Sequence, residues 1–447
     1  MIIKNKLELA TTELRKQVLD IVEAGIARVL PAEIMKSAVR YDPVGRILVV
    51  NDFSYDLSPG RVFVIGGGKA SALMAETLED ILSSDNISAG VVNCNYQVGD
   101  GKQRKVRVIE AGHPLPDERG LAGVRQMLAL KEQYAIGAND LVICLISGGG
   151  SALMPCPAEG VSLAEKQKVT RLLLGCGATI HEINAVRKHL SRTKGGQLGG
   201  HFSPATVVSL ILSDVVGNDL DVIASGQTCP DASSFIDACN VLEKYGLLER
   251  VPRGVRDVLS RGCQGEVEET PKTLNNCHNH IIGDNRLAME AMADKARELG
   301  LTPSIVTAEQ EGETTAVAQS RAAEVLAGKY AGVDVILIGG ETTPKLPANA
   351  GRGGRNQHYA AVSMLAMAPY AGEWVVASVG TDGADFLPEV AGAIVDNSSL
   401  SSASGIDVKS YLDRYDSHTL LAKMGRSLIV TGSTGTNVGD VIVYALR

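Results

Sequence analysis

The sequence predicts an α/β protein of two domains, on three observations. Apolar runs of strand length alternate with stretches of helical periodicity, which argues for helices layered on mostly parallel sheets. Those runs are almost continuously apolar, as suits sheets covered on both faces. At 447 residues the chain is too long for one ordinary core.

The polar opening, MIIKNKLELATTELRKQ, reads as an amphipathic helix, without the apolar stretch and cleavage site of a signal peptide. RVFVIGGG is a strand feeding the helix KASALMAETLEDIL, and VRVIEAG leads through HPLPDE into the helix RGLAGVRQMLALKEQ. LVICLISGGG is the next strand, and SLAEKQKVTRLLLGCG the next helix. In that helix Val169, Leu172, Leu173 and Cys176 share one face, and Ser162 with Glu165 makes a capping box. PATVVSLILSD and NHIIGD are strands, the second followed by the helix NRLAMEAMADKARELG. TPSIVTA, VDVILIGGE, EWVVASVGTDG, SLIVTGSTGTN and VIVYAL complete the strands. The segment 246–276 is charged and, from Arg261 onward, rich in turn residues, which sets a domain boundary within 260–275 and the domains at 1–268 and 269–447.

Composition narrows the function. With 45% hydrophobic and 21% charged residues, and no apolar run long enough to span a bilayer, the chain reads as soluble, with no membrane partner. A net charge of −8 disfavours nucleic acid, and the basic stretch GKQRKVR is short enough to be surface. One tryptophan and five phenylalanines leave little for base stacking. Eight scattered cysteines without CxxC spacing, among them Cys144, Cys156, Cys176 and Cys229 beside apolar runs, predict reduced thiols and a cytoplasmic protein. A homodimer is expected only from the prevalence of symmetric oligomers.

The 48 glycines gather where apolar runs end. At Gly66, Gly67 and Gly68, followed by Lys69, backbone amides and a helix start suit an anion, with the lysine as a mobile charge. The pattern is neither GxxxxGK[ST] nor GxGxxG. Ser147, Gly148, Gly149, Gly150 and Ser151 repeat the device, so the pair suits two phosphates, or a phosphate and a carboxylate; close packing of strand and helix is the plainer alternative. In LILSDVVGNDLDVIASG the hard oxygens of Asp214, Asn218, Asp219 and Asp221 suit Mg²⁺, with Asp214 the choice for metal or base. GGETTPKLPANAGRGGRNQ brings Arg352 and Arg355, able to fork onto phosphate or carboxylate. SVGTDGADF and TGSTGTNVGD supply Asp382, a second candidate for metal or for activating a hydroxyl, and Thr434, Thr436 and Asn437 for nucleotide or substrate hydroxyls. The histidines, His113, His181, His189 and His358 among them, make no catalytic pattern.

Nine segments in fixed order, VIGGGKASALMA, AGHPLPDERG, LISGGGSALMPCP, EINAVRKHLSRTKGGQL, LSDVVGNDLDVIASG, GGETT, GRGGRNQ, GTDGAD and TGSTGTNVGD, resemble the glycerate 2-kinase family over residues 10–445. The C-terminal part of that family is the MOFRL domain, and some members are labelled hydroxypyruvate reductase. The resemblance implies a Rossmann-like N-terminal domain, a distinct α/β C-terminal domain and an active site in the cleft. It implies a kinase that uses ATP and Mg²⁺ to phosphorylate the 2-hydroxyl of D-glycerate, giving 2-phosphoglycerate. It carries cleft roles onto Lys69, Ser147 to Ser151, Arg187, Asp214, Arg355 and Asp382. Glu341, Asn356 and Thr381, in matching motifs, join the nucleotide- and substrate-binding candidates. Lys69, Arg355, Asp214 and Asp382 are the catalytic candidates, with Asp214 and Asp382 for the metal.

Five positions depart from the family pattern: Gln227 for proline, Pro344 for valine, His358 for glutamate, Phe386 for glycine and Ser433 for proline. They leave another small hydroxy acid open as substrate. Two other functions compete. A reductase needs a dinucleotide motif, and no GxGxxG with an acidic residue about 20 positions on is found. A non-catalytic binder of sugar acids or sugar phosphates would use the same glycine loops.

Overall fold

The structure, a computed structural model, describes residues 1–96 and 104–447. The first three residues of GKQRKVR therefore lie outside the described residues. The chain divides into two compact units, one of residues 34–282 and one of residues 1–33 with 283–447.

The unit 34–282 opens with an antiparallel meander, β1 Val39–Asp42, β2 Ile47–Val50 and β3 Phe53–Asp56. Its main sheet has β4 Val62–Gly67, β5 Ile87–Cys94, β6 Val106–Glu110, β7 Leu141–Ile146, β8 Thr206–Leu212 and β9 Cys277–Gly283, in the order β6-β5-β4-β7-β8-β9. The pairs β6/β5, β5/β4, β4/β7 and β7/β8 are all parallel. β4 and β7 are buried along their whole length, as their unbroken apolar sequences require. The helices Glu118–Gln133 and Leu163–Gly175 fall where the periodicity puts them, and the Ser162–Glu165 capping box is present. The core beneath the sheet includes Phe63, Ile65, Val142, Cys144, Met127 and Phe202.

The other unit is built on β10 Pro303–Gln310, β11 Val335–Gly340, β12 Trp374–Gly380, β13 Gly392–Asp396, β14 Leu428–Ile429 and β15 Asp440–Leu446. The order is β10-β11-β15-β12-β13-β14, and only β10/β11 is parallel. This corrects the expectation of mostly parallel sheets for the C-terminal half. The last strand, β15, inserts antiparallel between β11 and β12, so helix–strand alternation does not dictate direction here. SLIVTGSTGTN keeps only two residues of strand, because its glycines and threonines turn the chain.

The units also differ from the expected 1–268 and 269–447. β9 lies beyond the charged segment yet joins the sheet of β4 to β8. The N-terminal helix Glu13–Arg28 folds with the C-terminal half: Gly25 lies close against Met292, and buried Arg15 gives Nε to Asp396 at 2.5 Å. Chain order hides both pairings.

Candidate functional site

In the unit 34–282, Gly67 of β4 stands opposite Ile146 of β7, and Ile146 opposite Ile211 of β8. The three strands therefore end on one edge, and each runs into a predicted segment. The strand order reverses between β4 and β7, the kind of switch point where open α/β sheets bind ligands.

The two glycine loops interlock there. The Ser147 hydroxyl accepts the Ala70 amide at 2.9 Å, and Lys69 N–H bonds to the Gly148 carbonyl at 2.9 Å. Gly66 and Gly68 have φ of +137° and +152°, and a Cβ on them would strike Leu145 and Ser147. These glycines let one loop touch the other. The amides of Gly68, Lys69, Ala70 and Gly150 are spent inside the fold rather than on a ligand, contrary to the sequence expectation. Gly149 (φ +81°) starts the short helix Gly150–Leu153, and a Cβ there would lie 3.0 Å from the His113 ring and 3.4 Å from Lys69 Cγ. Lys69 and His113 thus flank the second loop.

Asp214 follows β8, half-buried. Asp221 is held instead by Lys188, and Asp219 accepts the Asp221 amide at 2.9 Å, a turn role. Ala224, Ser225 and Gly226 then take φ of 50°, 63° and 62° in succession. Left-handed backbone is costly at alanine and serine. Ser225 Oγ lies 2.9 Å from Ser151 Oγ and donates to Asn184 Oδ1 at 3.1 Å.

In the other unit, Arg355 begins the helix Arg355–Ala366 beside β15. Its fork is spent on buried Asp440, with Nε at 2.6 Å and Nη2 at 3.1 Å, and Nη1 reaches Glu341 at 2.7 Å. Burial alone would lower the guanidinium pKa, but Asp440 and Glu341 hold it well above the usual arginine value. Arg352 pairs with Glu389 on the surface. Asn356 donates to Asp440 Oδ1 at 2.9 Å and accepts Ser378 Oγ at 2.6 Å, so its amide serves the scaffold. Thr381 and Thr436 are likewise buried, bonded to the carbonyls of Gly439 and Val29. Thr434 donates to the Thr381 carbonyl at 2.6 Å. Asp382 Oδ1 accepts the Ala384 amide at 3.0 Å, and Asn437 Oδ1 the Gly439 amide at 3.4 Å; both residues are half-buried. Asp385, between them and Asn356, is pushed up to about 6 by burial, against the amide donors of Asn356 and Gln357 that favour its charge.

This chain is similar to proteins already described. Residues 17–260 match a domain of unknown function, DUF4147, and residues 334–440 match the MOFRL family. A glycerate 2-kinase of Pyrococcus horikoshii is 40% identical over 95% of this chain and 97% of its own. A D-glycerate 2-kinase of Thermotoga maritima is 38% identical over 96% of this chain and 98% of its own. The chain belongs to the glycerate 2-kinase family. It is an enzyme, and its fold agrees: a crystal structure of glycerate kinase from Thermotoga maritima superposes with a TM-score of 0.82 at 37% identity, covering 97% of this chain and 99% of that one.

Within this glycerate 2-kinase family member, the five departures have separate fates. Gln227 is buried, and neither end of its amide has a hydrogen-bond partner. His358 lies on a hollow of about 430 Å³, stacked on Tyr415 and bonded to Thr315 and Ser417. Phe386 is 83% exposed at φ 62°, the conformation that explains a glycine there. Ser433 is exposed and Pro344 half-buried.

Sequence reasoning missed Lys166 and Lys194. Lys194 is 2% exposed and gives Nζ to the Ser151 carbonyl and hydroxyl, both at 2.8 Å. Lys166 is 7% exposed and its Nζ has no hydrogen-bond partner among the described residues. Arg187, Lys188, Arg192 and Lys194 fall within eight residues, a signal that reads as solvated surface until burial is known.

Among the described residues no group of three or more His, Cys, Asp or Glu is set to hold a metal. Asp214 and Asp382 are each a hard oxygen donor of the kind Mg²⁺ takes, since that ion needs only one or two carboxylates and fills its shell with water and phosphate oxygens.

Proposed function

We propose that this enzyme transfers the γ-phosphoryl group of ATP to the 2-hydroxyl of D-glycerate, giving 2-phosphoglycerate, with Mg²⁺ as the metal. The observation that carries this reading is the meeting of the two glycine loops, Lys69 and the cations around Ser151 at one edge of the sheet in the unit 34–282. Phosphoryl transfer needs positioning and charge neutralisation more than covalent chemistry from the protein. The strand order of that sheet, third-second-first-fourth-fifth-sixth in chain order, supports reading it as Rossmann-like.

In this reading Lys69 neutralises charge on the transferred group. Arg355, its geometry set by Asp440, contributes a fixed positive charge. Asp214 or Asp382 would hold Mg²⁺, which when bound would supply positive charge to the phosphate groups, and the other accepts or orients the proton of the substrate hydroxyl. Thr434 and Asn437 read nucleotide or substrate hydroxyls in this scheme, whereas Thr381, Thr436 and Asn356 shape the loops that carry them.

The test is a coupled ADP-release assay with ATP, Mg²⁺ and D-glycerate, the product's phosphate position being read by NMR. Formation of 2-phosphoglycerate is the expected result. Turnover of a different hydroxy acid alone would overturn the substrate, and an unchanged kcat/KM in Lys69→Ala would overturn the role of that lysine.

A further inference from the structure

We infer that Lys166, Arg187 and Lys194, with the Asn184 amide, form a pocket for a small anion of the carboxylate or phosphate class. The choice of anion rests on the phosphotransfer reading above; the pocket itself rests on geometry.

Buried charges in proteins are normally paired, because desolvating a lone ion is costly. This chain follows that rule one residue past Arg187: Lys188, equally buried, gives Nζ to both Asp221 and Asp231. Lys166 and Lys194 do not follow it. Among the described residues Lys194 Nζ bonds to Ser151 and to no carboxylate, and Lys166 Nζ has no hydrogen-bond partner. The guanidinium of half-buried Arg187 has no ion-pair partner among the described residues. Among the described residues no carboxylate bears on any of the three: burial, Lys166 and Arg187 lower the Lys194 amine, and burial brings Lys166 to about 7, with the Cys156 thiol opposing and Arg187 reinforcing.

A further donor points to a ligand. Asn184 is 2% exposed; its Oδ1 accepts Ser225, but its Nδ2 has no partner among the described residues. An unpaired buried donor costs about as much as a lost hydrogen bond unless something accepts from it. The strained run Ala224–Ser225–Gly226 fixes Ser225, which links Asn184 to Ser151 and so to Lys194. Three unpaired cations and a spare amide donor are a preformed complement to an oxyanion. In a phosphotransferase acting on a hydroxy acid, that oxyanion has two sources: the substrate carboxylate or a phosphate group.

The test is isothermal titration calorimetry on the full chain, with D-glycerate and inorganic phosphate as separate probes, for the wild type, Lys166→Met and Lys194→Met. Each variant is expected to weaken one or both probes by about tenfold or more. Loss for D-glycerate alone identifies the carboxylate, loss for phosphate alone the phosphoryl group, and loss for both a shared pocket. Each variant removes an unpaired buried charge, so its thermal midpoint should hold or rise, which separates lost binding from lost folding. A bound anion favours the charged amine, so binding should take up protons above pH 7, and uptake should fall in Lys166→Met, where Lys194 alone remains to take one up; Cys156 and Arg187 are the other titratable or charged groups around them. Wild-type affinity in both variants, or no binding of either probe by the wild type, would overturn the pocket. Turnover of D-glycerate with unaltered anion binding in the variants would remove this inference and leave the proposed function standing. Lost binding without turnover would do the reverse.

Discussion

Arg355 and Asp440 meet in a two-pronged ion pair, Nε to Oδ2 at 2.6 Å and Nη2 to Oδ1 at 3.1 Å, with the carboxylate fully inside the protein. The same Oδ1 receives Asn356, so one buried carboxylate sets two residues of the GRGGRNQ motif. Asp440→Asn should cost about 2 kcal/mol of stability, below the full value for a broken buried pair because Arg355 is 30% exposed and keeps Glu341. Arg355→Lys keeps a charge but loses the fork, and kcat/KM should fall by about tenfold or more. Urea denaturation and steady-state kinetics check the two; an unchanged kcat/KM in Arg355→Lys would mean that charge alone suffices.

Ser147 ties one glycine loop to the other through the Ala70 amide. Ser147→Ala leaves that buried N–H without its acceptor, at a cost of about 1–3 kcal/mol. The shift should show in the denaturation midpoint, together with faster hydrogen exchange at Ala70. Unchanged exchange there would show that the loops hold without this bond.

His358 should make the protein acid-sensitive. Burial lowers its imidazole from 6.5 to about 4, with nearby Glu313 opposing. The unfolded chain then binds more protons between those values, so the contribution is whole above pH 6.5 and is lost as pH falls through 4. The full effect is about 3 kcal/mol. Glu313 and Tyr415, bonded to each other at 2.5 Å, also face the ring. His358→Phe should flatten stability against pH across this window, measured by denaturation at several pH values; an equal slope in both proteins would contradict it.

Phe386 sits in the left-handed region with its ring in solvent. Phe386→Gly relieves backbone strain of about 1–2 kcal/mol, partly offset by the greater freedom of glycine in the unfolded chain. A net gain of about 1 kcal/mol is expected in the thermal midpoint. A loss would mean that the ring packs more than its exposure indicates.

Much of the scaffold was legible because its signals are local. Apolar runs gave β4, β7, β8, β11, β12 and β15, and capping residues gave the start of the helix at Leu163. The meander β1 to β3 escaped, since its strands are four residues each and partly exposed. β5 escaped because ISAGVVNC mixes small and polar residues with apolar ones. Of the candidate site, the glycine loops and Arg355 were visible as motifs, but the bonds that Asn356, Thr381 and Thr436 make inside the fold were not, because their partners lie far off in sequence or on the backbone.

The sequence by itself determined the α/β class, the strand ends where polar residues collect, and the family. Those follow from periodicity and from residues adjacent in the chain. Only the tertiary structure decided that residues 1–33 pack with the C-terminal half, that β15 enters its sheet antiparallel, and that Lys166 and Lys194 are buried without a counter-charge among the described residues. Burial and pairing are sums over neighbours distant in sequence, so a lysine in solvent and a lysine awaiting an anion are written with the same letter.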